Sequence, residues 1–193
     1  MLTIGIFCKN ASKETEILRK TIFQVFGEIT IMCADDCDDN KSASEISYDK
    51  ANFYDILIVN QPPALVNKVS YSCEAAVVNT DDKSIVSRLT MADTETVTYG
   101  FNSKASVTAS SVIDDKILFC VQRSFLTLSK KTVIQQEFSV SSLLFTEWFG
   151  GDCSLIAQNA VLPVVTAALI ADVSANEIAE RLTFNRALGQ LHI

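Results

Sequence analysis

With 193 residues, 48% of them hydrophobic and 20% charged, the chain is long enough to bury one sizeable core and too apolar to remain disordered. A net charge of −7, with sixteen Lys and Arg scattered along the sequence, leaves no basic stripe to neutralise a phosphate backbone and argues against a nucleic-acid partner. No run reaches the roughly 20 apolar residues that a spanning helix needs. Met1 to Asn10 carries no basic leader, so the expectation is one cytoplasmic domain over residues 1–193 that does not act at a membrane.

In chain order, Thr3 to Phe7 reads as a short buried strand. Lys13 to Phe26 reads as a helix, because Ile17, Leu18, Ile22, Val25 and Phe26 recur at the spacing of one face. Gly27 stops that helix, and Glu28 to Ala34 is a second β-branched run, so the chain opens as βαβ and predicts a parallel sheet. Asp35 to Lys41 is a polar break and Ile46 to Asn52 is ambiguous. Ile56 to Val59 is an uninterrupted apolar strand of the kind buried in parallel sheets, ended by Pro62-Pro63. Ala75 to Val78 is a further strand, and Asp81 or Asp82 caps a helix from Lys83 to about Leu89.

The character then changes. Thr96 to Tyr99, Ser106 to Ile113, Lys116 to Gln122, Thr132 to Phe138 and Leu143 to Trp148 are strand-like runs between turn residues, and they predict an antiparallel meander closed by Gly150-Gly151. Leu155 to Ala171 reads as an apolar helix kinked at Pro163. Ser174 and Glu177 form a capping box for a last helix through Leu182.

Few constellations carry chemistry. The six cysteines, Cys8, Cys33, Cys37, Cys73, Cys120 and Cys153, lie mostly in apolar segments and read as reduced core residues. Asp36, Asp38 and Asn40 have the opening spacing of a calcium loop. Lys41 stands where that loop needs Gly and Ser47 where it needs a bidentate Glu, so the segment reads as a solvated acidic turn. The one histidine, His192, is penultimate, which argues against zinc sites and against a Ser-His or Cys-His nucleophile. Asp81 and Asp82 read as caps, not as an acid/base pair.

Several segments nevertheless fall into a familiar order. Ile4-Gly5-Ile6 is a strand running into the loop Cys8 to Lys13. Ala76 to Asp82 is a strand with an Asn-x-Asp-Asp turn, and Thr96 to Phe101 is a strand ending in Tyr-Gly-Phe. Asp172 to Leu182 is an Asp-Val-Ser-x-x-Glu-Ile helix start. Together they resemble the central, nucleotide-binding domain of the Mur ligase family, the ATP-dependent enzymes that add amino acids to peptidoglycan precursors, with relatives such as folylpolyglutamate synthetase. The resemblance implies an α/β fold: a mostly parallel P-loop-like sheet flanked by helices, with an additional antiparallel β meander. It covers one domain, and neither the family's N-terminal substrate domain nor its C-terminal ligase domain is expected in this chain.

The family's phosphate loop, Gly-Thr-Asn-Gly-Lys-Thr, uses glycines to bring backbone N–H groups to the phosphates, Lys to neutralise them and Thr to hold Mg²⁺. Here the loop reads Cys8-Lys9-Asn10-Ala11-Ser12-Lys13, with both glycines replaced and only Asn10 kept. Val59-Asn60-Gln61 lacks the family's metal-binding Glu and the Asp-His that follows. Of the family's Gly-x-His-Asn-x-x-Asn helix start only Asn159 remains, at the position expected to touch adenine. Gly189-Gln190-Leu191-His192 has lost the hinge Arg. The expectation is therefore a degenerate, non-catalytic Mur-ligase-like domain, a binding or regulatory protein related to cell-wall precursor synthesis. Lys9, Asn10, Ser12, Lys13 and Asn159 are a vestigial nucleotide site; no catalytic residue, metal or cofactor is expected, and the partner is a protein or a small-molecule ligand. The alternative is a divergent ATP-dependent amide ligase of UDP-N-acetylmuramoyl-peptide or folylpolyglutamate type, or a ligase subunit needing a partner chain, and only then do ATP and Mg²⁺ enter.

Overall fold

A computed structural model of the chain describes residues 2–7, 13–27, 30–33, 53–60, 69–70, 72–90, 94–113, 116–141 and 154–183. The strands are β1 (Thr3–Phe7), β2 (Thr30–Cys33), β3 (Phe53–Val59), β4 (Val69–Ser70), β5 (Ser72–Asn79), β6 (Leu89–Thr90), β7 (Glu95–Tyr99), β8 (Val107–Ile113), β9 (Lys116–Val121), β10 (Phe125–Leu126), β11 (Thr132–Val133) and β12 (Gln136–Ser141). The helices are α1 (Lys13–Phe26), α2 (Lys83–Arg88), α3 (Ser154–Ile170) and α4 (Ala175–Thr183).

Eight strands form one sheet in the order β12-β9-β8-β7-β5-β3-β1-β2. From β2 to β8 every pairing is parallel, whereas β8 with β9 and β9 with β12 are antiparallel. The expected α/β architecture is thus present, with an antiparallel extension continuous with a mostly parallel sheet. Two short pairs stand apart, β10 with β11 antiparallel and β4 with β6 parallel.

The continuous apolar strands predicted for a sheet covered on both faces are buried on both faces. One face, through Ile4, Ile6, Ile56, Ile58, Val77, Val97 and Tyr99, packs into a single core with Ile17, Leu18 and Ile22 of α1 and with α3. On the other, Leu57, Val59, Ala76 and Val78 cluster with Ile85 of α2. Every residue of α3 from Ala160 to Ile170 is buried, which explains why this helix is apolar all round instead of amphipathic. Among the described residues no helix is long and apolar enough to cross a membrane.

Helix ends follow the sequence signals. Gly27 adopts φ 72° and its amide donates to the Phe23 carbonyl at 2.8 Å, ending α1. Ser174 and Glu177 reciprocate across the first turn of α4: the Ser174 amide donates to Glu177 Oε2 at 3.0 Å, and the Glu177 amide donates to Ser174 Oγ at 3.3 Å. Asp82 Oδ1 accepts from the Ser84 amide at 2.8 Å and caps α2.

Two expectations need correction. Thr96 to Tyr99 is not part of an antiparallel meander. It lies in β7, parallel to β5, because α2 carries the chain back to the starting end of the sheet, as a helical crossover does. Thr132 to Phe138 is not one strand. It divides at Ile134-Gln135 into β11, which pairs with the unforeseen β10, and β12, which pairs with β9. Residues 8–12, 34–52, 61–68, 142–153 and 184–193, which include the polar break, the run 46–52, the proline pair, the run 143–148, the glycine pair and the hinge, lie outside the described residues. Cys73 and Cys120 are both thiols. Burial pushes the Cys73 thiol up, against a smaller lowering effect of a hydrogen bond with Thr94, so it is a poor nucleophile at neutral pH.

The turn after α3 places a polar side chain in a conformation that favours glycine. Asp172 has φ 64°, in the left-handed region. Its carboxylate accepts from Ser129 Oγ at 2.7 Å and lies 3.7 Å from Lys131 Nζ. Desolvation pushes this carboxyl up, but the hydroxyls of Ser129 and Thr127, the Ser129 amide and the Lys131 ammonium outweigh it and hold the group below its ordinary value of 3.8. A depressed pKa stabilises the fold above the unfolded value and is lost as pH falls through the folded one. Asp172→Asn is therefore expected to cost at most about 1 kcal/mol at pH 7, after discounting for exposure. Melting curves of variant and parent should converge as pH drops below 3.8; a gap unchanged down to pH 2.5 would contradict this account.

Candidate functional site

Counting only the strands joined by parallel pairings, in chain order, the sheet runs 2-1-3-4-5-6, so the order reverses between β1 and β3. In such sheets the crevice at the carboxyl ends of the strands flanking that reversal is where ligands bind. Of the strands whose carboxyl-end side chains are described, β3 flanks the reversal, and β5 and β7 lie next to it in the sheet.

At the end of β3, Asn60 is only 6% exposed. The Tyr99 hydroxyl, on a side chain 1% exposed at the end of β7, donates to Asn60 Oδ1 at 2.5 Å, spanning the intervening strand β5. The turn after β5 is locked to the turn after β7. The Thr80 amide and hydroxyl both donate to the Tyr99 carbonyl, at 2.9 and 3.1 Å. Asp81 accepts from the Phe101 amide at 2.7 Å through Oδ2 and from Asn102 Nδ2 at 2.7 Å through Oδ1. Asn102 Nδ2 also donates to Thr80 Oγ1 at 2.9 Å. Gly100 makes this possible, since a Cβ there would sit 2.8 Å from Asp81 Oδ1.

Both carboxylates that follow β5 are therefore engaged in structure: Asp81 ties two turns together and Asp82 caps a helix. Such an arrangement binds backbone amides and rigidifies the rim. Among the described residues no group of three His, Cys, Asp or Glu side chains could hold a metal ion.

Of the sequence-predicted site residues, Lys13 is the first residue of α1, the helix that follows β1, and Asn159 lies on α3, which packs along α1. Pro163 has no N–H to offer the Asn159 carbonyl four residues before it, so the helix ladder is interrupted at the residue singled out for adenine. Lys9, Asn10 and Ser12 lie outside the described residues.

The interlocked rim was missed from sequence. Its signal is a repeated pattern in which Asn79, Asp82 and Asn102 each accept from the amide two residues on, in Asp81, Ser84 and Lys104. Three such side-chain-closed turns gather at neighbouring strand ends. In sequence comparisons no protein-family model matches this chain, and no curated protein matches it significantly.

Proposed function

We propose that this chain is a non-catalytic Mur-ligase-like domain that acts in the cytoplasm by binding or association, in the setting of cell-wall precursor synthesis. The observation that carries this reading is the fate of the polar groups at the strand ends. After β3 the chain keeps at best the family's Asn, as Asn60, which is held by Tyr99, and has no acid there, while Asp81 and Asp82 are engaged in turns and a cap. A ligase must instead hold a divalent cation and a triphosphate beside a reacting carboxylate, which calls for uncommitted oxygen ligands and a glycine-lined loop. The sequence Cys8-Lys9-Asn10-Ala11-Ser12-Lys13 supplies no glycine. In this reading Lys9, Asn10, Ser12, Lys13 and Asn159 are the remnant of a nucleotide site.

Isothermal titration of the full chain with ATP and Mg²⁺ tests it. The expected result is no binding in the micromolar range. A micromolar Kd that requires Mg²⁺ would overturn the proposal and point to an ATP-dependent amide ligase, or to a ligase subunit completed by a second chain.

A further inference from the structure

The Lys and Arg residues are scattered over the chain, yet between Asp115 and Glu137 four of them, Lys116, Arg123, Lys130 and Lys131, occur with no acidic residue among them. Three of these surround the β10–β11 hairpin. Phe125 and Val133 are opposite one another in its ladder and turn inward to the core, so by strand alternation Leu126 and its partner Thr132 share the outer face, and Ile134 follows directly on β11. Leu126 is 39% and Ile134 66% exposed, the latter the most exposed large apolar side chain among the described residues. Arg123, Lys130 and Lys131 are exposed as well.

The hairpin is held rigidly. The Leu128 amide donates to the Ile170 carbonyl at 2.9 Å, at the end of α3, and Ser129 is fixed by Asp172. The loop between Thr127 and Lys131 closes with the Thr127 amide on the Lys131 carbonyl at 2.8 Å, and the left-handed position in it, φ 62°, is occupied by Lys130. Glycine or asparagine is the easier residue there. A lysine in its place sets a charge at the hairpin tip at a conformational cost, and strain of this kind marks functional surfaces.

We infer that the outer face of this hairpin docks an acidic segment of a partner protein, in which carboxylates flank one or two apolar side chains. The apolar pair Leu126 and Ile134 supplies the contact, and the exposed Arg123 and Lys130 supply charge complementarity and orientation, Lys131 being engaged by Asp172. An anionic bilayer fits less well. Two apolar side chains are a weak anchor in lipid. The inference holds whether or not nucleotide binding survives at the strand ends, and so it stands or falls apart from the proposed loss of catalysis.

The test pans a phage-displayed library of random short peptides on the full chain, then measures one selected peptide by fluorescence anisotropy. The expected selection is enriched in Asp and Glu on either side of Leu, Ile or Phe, and binding should weaken as salt is raised. Arg123→Glu, Lys130→Glu and Ile134→Ser should each weaken it about tenfold. Lys131 is left in place because it faces Asp172. Lys130→Gly is the control for folding: it relieves the left-handed strain, keeps or raises the melting temperature, and still weakens the peptide. Selected peptides without acidic bias, or affinities unmoved by these variants, would overturn the inference. So would co-sedimentation with phosphatidylserine vesicles in the absence of any peptide binding.

Discussion

Tyr99→Ala should be the most damaging single change in the described structure, costing about 3–5 kcal/mol by analogy with other buried aromatic truncations. Tyr99 is among the largest fully buried side chains, and it belongs to the core that joins β1, β3 and β5 to α1 and α3. Its hydroxyl is separable from its ring. Tyr99→Phe keeps the packing and removes the hydroxyl that donates to Asn60 Oδ1, so it should cost about 0.5–1.5 kcal/mol, the net worth of a typical intramolecular hydrogen bond. Urea midpoints measured with an unchanged m-value would report both numbers. The double variant Tyr99→Phe with Asn60→Ala should be closer to Asn60→Ala alone than the sum of the singles; strict additivity would show that the two groups are not coupled.

Gly5→Ala is the second. In a strand interior, adding a methyl group to glycine ordinarily gains a few tenths of a kcal/mol or more by restricting the unfolded chain. Here the sign should reverse. A Cβ at Gly5 would stand 2.7 Å from the Tyr54 ring and 2.8 Å from a Leu57 methyl, and both side chains are buried. Forcing them apart in a close-packed layer costs about 1–3 kcal/mol, and Gly5→Val more. Differential scanning calorimetry of Gly5→Ala that showed an unchanged or raised Tm would mean that Tyr54 has room to turn away.

How much of this was readable beforehand depended on whether the signal was local. α1 was placed correctly because its apolar spacing, its strong face and Gly27 all speak to the same short stretch. The capping box at Ser174 and Glu177 is likewise complete within four residues. The direction in which β7 pairs was not local. Glu95–Tyr99 has the same β-branched character in a parallel or an antiparallel ladder, and only the position of α2 decides between them. The division of Thr132 to Phe138 escaped for a similar reason. Nothing in Thr132-Val133-Ile134-Gln135 announces that two of these residues pair with Phe125-Leu126 and not with β9.

At the candidate site the residue types were legible and their employment was not. Asp81 and Asp82 were visible as caps, but the reach of Asp81 to Phe101 and Asn102, twenty residues on, depends on Gly100 clearing the space between two strand ends. The bond between Asn60 and Tyr99 links residues 39 apart across a third strand. No pattern of spacing encodes it.

The contacts that fasten α4 to the end of α1 have a consequence for how the protein comes into being. Arg181 donates to the Val25 carbonyl at 2.6 Å, and Gln24 donates back to the Arg181 carbonyl at 2.6 Å, so the last described helix clasps the first. Since α3, which covers α1, follows it by more than a hundred residues, Ile17, Leu18 and Ile22 stay without their native cover in a growing polypeptide until residues 154–182 have left the ribosome.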